Sequence, residues 1–268
     1  MESGDGPSGP SILFLGDVVG GLGRRTLLGT LPALREELQP TFVVVNGENA
    51  AGGLGITPKI ADELLGAGVD VITLGNHAYH RREIFPYLRE SERLIRPSNY
   101  LRRHPGKGVT IVERDGVRLA VVNLIGTVFL KAAGSAFDEI ERVLNQLDGK
   151  ADQILVDLHA EATSEKVAMG WYLDGRVTAV LGTHTHVPTA DERVLPKGTA
   201  YMTDVGMTGP RGGVIGVKKE QAIQSQVEQL GVRFETSEDD PWVMGAFIRC
   251  GGPLQATEIV PIRRPWRP

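Results

Sequence analysis

The sequence predicts an α/β protein of one domain, layered with mixed sheets inside and helices outside. Three observations predict it. Short runs of apolar, largely β-branched residues recur along the chain, each bounded by glycine or polar residues, which is the pattern of buried strands. Amphipathic stretches of helical length lie between them. Five of the runs also end in carboxylate, amide or imidazole side chains. Ile12–Leu15 runs into Gly16-Asp17, and Phe42–Val45 into Asn46-Gly47-Glu48-Asn49. Val71–Leu74 runs into Gly75-Asn76-His77, Ile154–Leu158 into His159, and Val177–Leu181 into Gly182-Thr183-His184-Thr185-His186. The C-terminal edge of a sheet is where α/β proteins gather their chemistry.

In chain order, Ile12–Leu15 is the first strand, followed by Asp17 and the turn Gly20-Gly21-Leu22-Gly23. A helix is expected from about Arg24 to Leu38, with Pro32 kinking its middle. Phe42–Val45 is the second strand. The loop after it carries Glu48 and Asn49, then Gly52, Gly53 and Gly55, which either shape a pocket rim or turn the chain. Thr57 caps a helix opening on Pro58, the favoured place for proline, and ending near Gly66 or Gly68. Val69–Leu74 is the third strand, and a helix from about Arg82 to Arg89 follows its tip. Val109–Arg114 and Val117–Asn123 flank Asp115-Gly116, a strong hairpin signal that makes the sheet antiparallel or mixed there. Ser135–Leu147 is an amphipathic helix and Ile154–Leu158 a strand. Thr163–Tyr172 is helical, with Thr163 at the cap and Trp171 and Tyr172 packing it; Val177–Leu181 is the strand before the histidine pair. Arg193–Leu195 and Ala200–Met202 are short strands, Thr203–Pro210 a long glycine-punctuated loop, and Lys218–Leu230 a helix. Val243–Cys250 and Gln255–Pro261 form a closing hairpin. The domain is placed at residues 11–263. Residues 1–10, acidic and rich in glycine and proline, are expected to be a disordered tail, and residues 264–268 a loose C-terminal one.

The chain has 268 residues, 41% hydrophobic and 23% charged, which suits a soluble globular domain with a generous core. Its net charge of −4 argues against nucleic-acid duplexes or anionic membranes as main partners. One cysteine, Cys250, excludes an intrachain disulfide framework and fits a reducing compartment. The N-terminal residues lack the apolar core of a signal peptide, and no run is long and apolar enough to span a membrane. A cytoplasmic location is expected.

Of the six histidines, four lie at or beside strand ends: His77, His159, His184 and His186. In extended chain, residues two apart face the same way, so His184 and His186 are expected to reach one site. One buried histidine is ordinarily a hydrogen-bonded core residue. Four at one edge, beside Asp17, Glu48, Asn49 and Asn76, are not so explained, since unpaired buried polarity is costly. Metal binding is the expectation. The candidate ligands are Asp17, Glu48, Asn49, Asn76, His159, His184 and His186, more than one transition-metal site holds alongside a substrate position. Two ions about 3.5–4 Å apart, sharing a bridging carboxylate, would use them all and could clamp the two oxygens of an in-line displacement. Nitrogen and oxygen ligation without thiolate suits iron, manganese or zinc.

The ordered motifs Gly16-Asp17, Asn46-Gly47-Glu48-Asn49, Gly75-Asn76-His77, His159 and Gly182-Thr183-His184-Thr185-His186 resemble the signature of the calcineurin-like metallophosphoesterases. Where that superfamily has a histidine two residues after its first aspartate this chain has Val19, and Glu48 stands for its second aspartate. Ala78 follows the Gly-Asn-His motif in place of an acid. With Asn46–Asn49 and Thr203–Met207, this altered set is similar to the YmdB-like branch, regarded as 2′,3′-cyclic nucleotide phosphodiesterases with a di-iron or di-manganese centre. The resemblance covers about Ile12 to Arg263 and implies a four-layer αββα sandwich, two metal ions with iron favoured, a small-molecule phosphodiester substrate, and self-association. It implies that Asp17, Glu48, Asn49 and His186 hold one ion, and Glu48, Asn76, His159 and His184 the other, Glu48 bridging. A hydroxide between the ions would attack phosphorus, with His77 as the general acid that protonates the departing ribose oxygen, a task suited to imidazole. The alternatives are a phosphomonoesterase or 5′-nucleotidase with the same metals, or a nucleotide-binding regulator with slow turnover. Of the remaining polar residues, His80 is expected at a surface helix start and His104 in a solvated loop. Asp204 is expected near the ligands or capping its own loop, and Thr127 within reach of phosphate.

Overall fold

The structure is a computed structural model that describes residues 9–267. Most of the expected N-terminal tail, residues 1–8, lies outside the described residues; Pro10 already joins the sheet, its carbonyl accepting from Cys250 N at 2.9 Å. Thirteen strands and six helices follow among the described residues. The first half contains β1 (Ser11–Leu15), β2 (Asp17–Val18), α1 (Gly20–Leu38), β3 (Phe42–Asn46), α2 (Pro58–Gly66), β4 (Val71–Thr73) and α3 (Ile84–Glu90). The second contains β5 (Val109–Arg114), β6 (Val117–Ile125), α4 (Ala136–Leu147), β7 (Gln153–His159), α5 (Thr163–Tyr172), β8 (Ala179–Thr183), β9 (Arg193–Val194) and β10 (Ala200–Met202). The chain closes with β11 (Met207–Pro210), α6 (Lys219–Glu228), β12 (Pro241–Cys250) and β13 (Ala256–Pro265).

The strands form two mixed sheets. One runs β2-β11-β12-β1-β3-β4, with β13 also on β12; the other runs β5-β6-β7-β8-β10-β9. Period-two alternation builds three cores from them. On β1, Ile12 and Phe14 face the space between the sheets, where they meet Leu119, Val121 and Leu155. Leu13 and Leu15 face the other way, against Leu27, Leu31 and Leu34 of α1 and Leu64 of α2. On β6, Ala120, Val122 and Leu124 turn outward onto Ile140 and Val143 of α4 and Met169 of α5. Helix, sheet, sheet, helix is the four-layer αββα sandwich expected. With both faces covered, strands such as Phe42–Val45 read as continuous apolar runs.

Local signals account for most boundaries. Thr57 Oγ1 accepts from Ile60 N at 3.3 Å and Ser135 Oγ from Phe137 N at 3.2 Å, so both act as N-caps. Asp115 and Gly116 have φ of 53° and 75°, as a primed two-residue turn requires. Three expectations fail for non-local reasons. Helix α1 begins at Gly20, not Arg24, because Gly20 N is satisfied by Asn49 O at 2.9 Å and the helix can start there. The Thr203–Pro210 loop contains β11, which pairs in parallel with β2, Met207 opposite Asp17. The loose tail from 264 is instead ordered through Trp266: β13 reaches Pro265, Arg264 pairs with Glu37, and Trp266 N donates to Pro241 O at 2.8 Å. Among the described residues, no helix is long and apolar enough to cross a membrane.

Candidate metal centre

The strand ends of both sheets meet at one edge, and the expected ligands come from both. Asp17, Glu48, Asn49, Asn76 and His77 follow strands of the first sheet, and His159, His184 and His186 strands of the second. Beneath them the buried Asp157 carboxylate of β7 straps the sheets together. It accepts from Thr73 Oγ1 at 2.6 Å and Asn46 Nδ2 at 3.1 Å on one side, and from Thr183 Oγ1 at 2.7 Å on the other. Burial pushes its carboxyl up to about 6, against the pull of the His159 charge and the threonine hydroxyls.

Around His159 Nε2 three acceptors crowd together: Asn76 Oδ1 at 2.8 Å, Glu48 Oε1 at 3.0 Å and His184 Nδ1 at 3.1 Å. One ligand atom each from Glu48, His159 and His184 lies within 4.8 Å of the others. A single proton satisfies only one such pair, whereas a cation satisfies every lone pair at once. Gly75 makes the close approach possible, since a Cβ there would sit 2.3 Å from both Glu48 Oε2 and His159 Nε2. The second group is looser. Asp17 Oδ2 lies 3.7 Å from His186 Nε2 and accepts from His184 N at 3.0 Å, while Asp17 Oδ1 is buried without a partner. Asn49 turns its Nδ2 toward His186 Nε2 at 3.1 Å and its Oδ1 toward His77 Nδ1 at 2.7 Å, so ligation through oxygen beside His186 needs the amide turned over.

Each of the three ligand-type imidazoles has its outward nitrogen engaged. His159 Nδ1 meets Thr183 Oγ1 at 2.8 Å, His184 Nε2 meets Glu161 Oε2 at 3.0 Å, and His186 Nδ1 meets the Ile215 carbonyl at 2.8 Å. Thr183 donates its own proton to Asp157, so it must accept from His159. The partners therefore assign an outward N–H to all three rings and turn the second nitrogen of each inward, the arrangement that fixes metal-binding histidines. The electrostatics demand positive charge as well. Burial raises the Asp17 carboxyl, only partly offset by His186 and His159. Burial also works against ionised Glu48, but His159 and His77 outweigh it and hold that carboxyl well below its ordinary range. Glu48, followed by Asp17 and Asp157, raises His159 to about 9 in spite of burial, while burial and the His159 charge push His184 down to about 3. The donor set fits cation binding.

The backbone reaches this arrangement differently from the extended-chain expectation for His184 and His186. Strand β8 ends at Thr183, and both histidines have left-handed φ, 98° and 65°. Asp204 pins the turn between them: its Oδ2 accepts from Thr185 Oγ1 at 2.7 Å and from Thr185 N at 3.2 Å, and Lys166 Nζ, wholly buried on α5, neutralises it at 2.8 Å. Asp204 thus braces the ligand loop from behind. Glu161, Thr183, Lys166 and the Ile215 carbonyl were not anticipated from the sequence. The available signal was Lys166, which shares with Met169 and Gly170 the buried stripe of its helix, where a lysine needs a counter-charge.

His77 lines the cavity with its backbone N donating to Glu48 Oε2 at 3.1 Å and its Nδ1 at 2.7 Å from Asn49 Oδ1. His80 is exposed, its ring 6.0 Å from that of His77. His104 lies half-buried in its loop, edge-on to Tyr79 at 5.4 Å, and the Thr127 hydroxyl is taken by Glu165 at 2.8 Å. The loop glycines Gly52, Gly53 and Gly55 have φ of 65°, 90° and 77°, so they turn the chain, and Gly53 also lines the cavity. Trp171 and Tyr172 are half-exposed, Tyr172 edge-on to Phe137 at 5.3 Å.

Known proteins share this chain across nearly its whole length. A Bacillus subtilis (strain 168) protein named 2′,3′-cyclic-nucleotide 2′-phosphodiesterase is 47% identical over 237 residues, 88% of this chain and 90% of that protein. The crystal structure of a hypothetical protein from Thermus thermophilus superposes with a TM-score of 0.90 at 40% identity, covering 96% of this chain and 100% of that one. A crystal structure of a Mycoplasma pneumoniae protein described as a novel phosphatase gives 0.89 at 34% identity, covering 97% and 95%. The model of the YmdB-like protein family matches residues 13–262, and the chain belongs to that family.

Proposed function

We propose that this chain is a metal-dependent phosphodiesterase that opens nucleoside 2′,3′-cyclic phosphates to 3′-nucleotides. The observation that carries the reading is the set of three imidazoles with outward nitrogens engaged and inward nitrogens gathered, His159 and His184 beside Glu48, and His186 beside Asp17 and Asn49, next to a fourth imidazole, His77, that has a nitrogen to spare. The name of the B. subtilis relative supports the substrate class. Bound metal ions supply neutralisation of phosphoryl oxygens and a lowered pKa for water. Asp17, Glu48, Asn49 and His186 would hold one ion, and Glu48, Asn76, His159 and His184 the other. Iron is favoured, with manganese or zinc compatible. Thiolate ligation has no support, since burial between the sheets pushes the Cys250 thiol up to about 12.

The chain's own residues do the rest. Water adds its oxygen to phosphorus and gives up one proton to solvent, the P–O2′ bond breaks, and His77 Nε2 gives the departing O2′ its proton, typically worth about 10²–10⁴-fold, before taking a proton back from solvent. Glu48 holds the His77 backbone in place. The test is turnover of 2′,3′-cyclic AMP by purified protein loaded with iron or manganese, with the product isomer resolved. Metal-dependent release of 3′-AMP is expected; brisk hydrolysis of 5′-AMP or a simple monoester, with no ring opening, would replace this reading with a phosphomonoesterase. The phosphatase description of the M. pneumoniae relative favours that second reading.

A further inference from the structure

The cavity at the centre, about 680 Å³, has two unlike sides. One bears Glu48, His77, His184 and His186. The other is built by residues 211–240, the excursion between β11 and β12, and presents Ile215, Val217, Ile223, Val227 and Phe234, with Gln226 the one polar side chain that the excursion contributes. These groups are left open to water: Val227 is 76% exposed, Ile223 58% and Phe234 51%. Apolar groups gathered at the rim of a polar cleft mark a surface that meets a ligand. The two sides are also tied together. Ile215 holds His186 through its carbonyl while its side chain, 54% exposed, lines the cavity. It does so at φ 45°, in the left-handed region that a β-branched residue avoids, in a turn closed by the bridge between Val214 and Val217.

We infer that this apolar wall receives the base of the nucleotide, and that it selects for ring area without reading the base's edge. The inference rests on the cyclic phosphodiesterase reading above. A flat base with apolar faces, joined through ribose to a doubly esterified phosphate, matches a cavity whose polar and apolar groups lie on separate sides, and the volume lies within the range of small-ligand sites. Sites built of hydrogen-bonding groups reject the wrong analogue by factors of about 10⁴ or more, whereas apolar walls discriminate by about 10–200-fold. With Gln226 alone able to reach an edge, all four nucleoside 2′,3′-cyclic phosphates are accepted, and purines lead through their larger area.

The experiment compares kcat/KM of the metal-loaded enzyme for the four nucleoside 2′,3′-cyclic phosphates and for glycerol 1,2-cyclic phosphate, which has the ring but no base. The bases are expected to fall within about 200-fold of one another, purines ahead, with the base-free ester well below them. In Val227→Ser and Phe234→Ala, the preference for 2′,3′-cyclic AMP over the glycerol ester drops about tenfold, and the loss appears in KM rather than kcat. An unchanged preference, or a spread among bases of about 10³-fold or more, would overturn the base wall while leaving the cyclic phosphodiesterase standing. No ring opening of any of the five esters would instead overturn the reading beneath it. Calorimetry of 3′-AMP binding keeps the wall decidable in that case: the two variants should bind about tenfold more weakly, and equal affinity would dismiss it.

Discussion

The two sides of the cavity are built by opposite rules. The side bearing Glu48 and the histidines stands on strand ends, with both sheets pressed against it and almost every polar atom paired. The side bearing Val227 and Phe234 stands on an excursion whose helix buries one residue, Ala222, and which is tied by the isolated bridges Val214–Val217 and Val217–Thr236 and by loop hydrogen bonds such as Lys218 N to Glu235 O at 2.9 Å. The difference teaches where precision is needed. A centre for phosphoryl chemistry tolerates little displacement, so its groups sit on rigid elements with supporting partners. A surface that rewards contact area tolerates variation and can be carried by a segment with little burial.

That contrast can be broken from the rigid side first. Stripping the protein with a chelator should remove at least about 10³-fold of kcat/KM, with readdition of iron or manganese restoring it. Retention of full activity by protein shown to be metal-free by elemental analysis would sink the metal reading. His77→Ala should lower kcat by about 10²–10⁴-fold with metal content unchanged; loss of metal would show His77 to be a ligand or its support. Asp204→Ala leaves the Lys166 ammonium buried without its partner and should cost about 3–5 kcal/mol of stability in denaturant titration, with metal affinity weakened because Thr185 loses its anchor. A change under about 1 kcal/mol would mean that Lys166 finds water or another acceptor. The smallest effect sharpens the comparison. Ile215→Gly removes the left-handed strain and should stabilise the fold by about 1 kcal/mol while raising KM for cyclic nucleotides. Stability and selectivity moving together would show that the excursion is as tightly coupled as the strand ends.

The strand-end side was legible in the sequence because its signal is local. Each apolar run stops at glycine or a polar residue, and the side chains at and after the stop are the ones delivered to the edge, as at Leu15-Gly16-Asp17 and Leu158-His159. His184 and His186 were found by a rule that does not apply to them: their backbone is not extended, and what aims both rings inward is a turn braced by Asp204. The brace was hidden because Lys166, Asp204 and Thr185 meet only after α5 and the 203–206 loop pack together. Strands β2 and β11 were hidden for the same reason, being two and four residues long and pairing across most of the chain. On the excursion, Ile223, Val227 and Leu230 recur at helical spacing, which discloses a helix with an apolar stripe but not that Ile223 and Val227 border the histidines.

Strand β12 lies between β1 and β11 in the first sheet, with Ser11 opposite Arg249. Synthesis therefore produces β1 and β3 long before the strand that covers β1's free side. At about 5–20 residues per second the wait is on the order of ten seconds or more, during which Ile12–Leu15 is an uncapped, wholly apolar edge able to pair with any passing chain. Asp17, Glu48 and Asn76 wait with it. A chain stalled before Pro241 owns all of the candidate ligands but lacks the strand that joins β1 to β11.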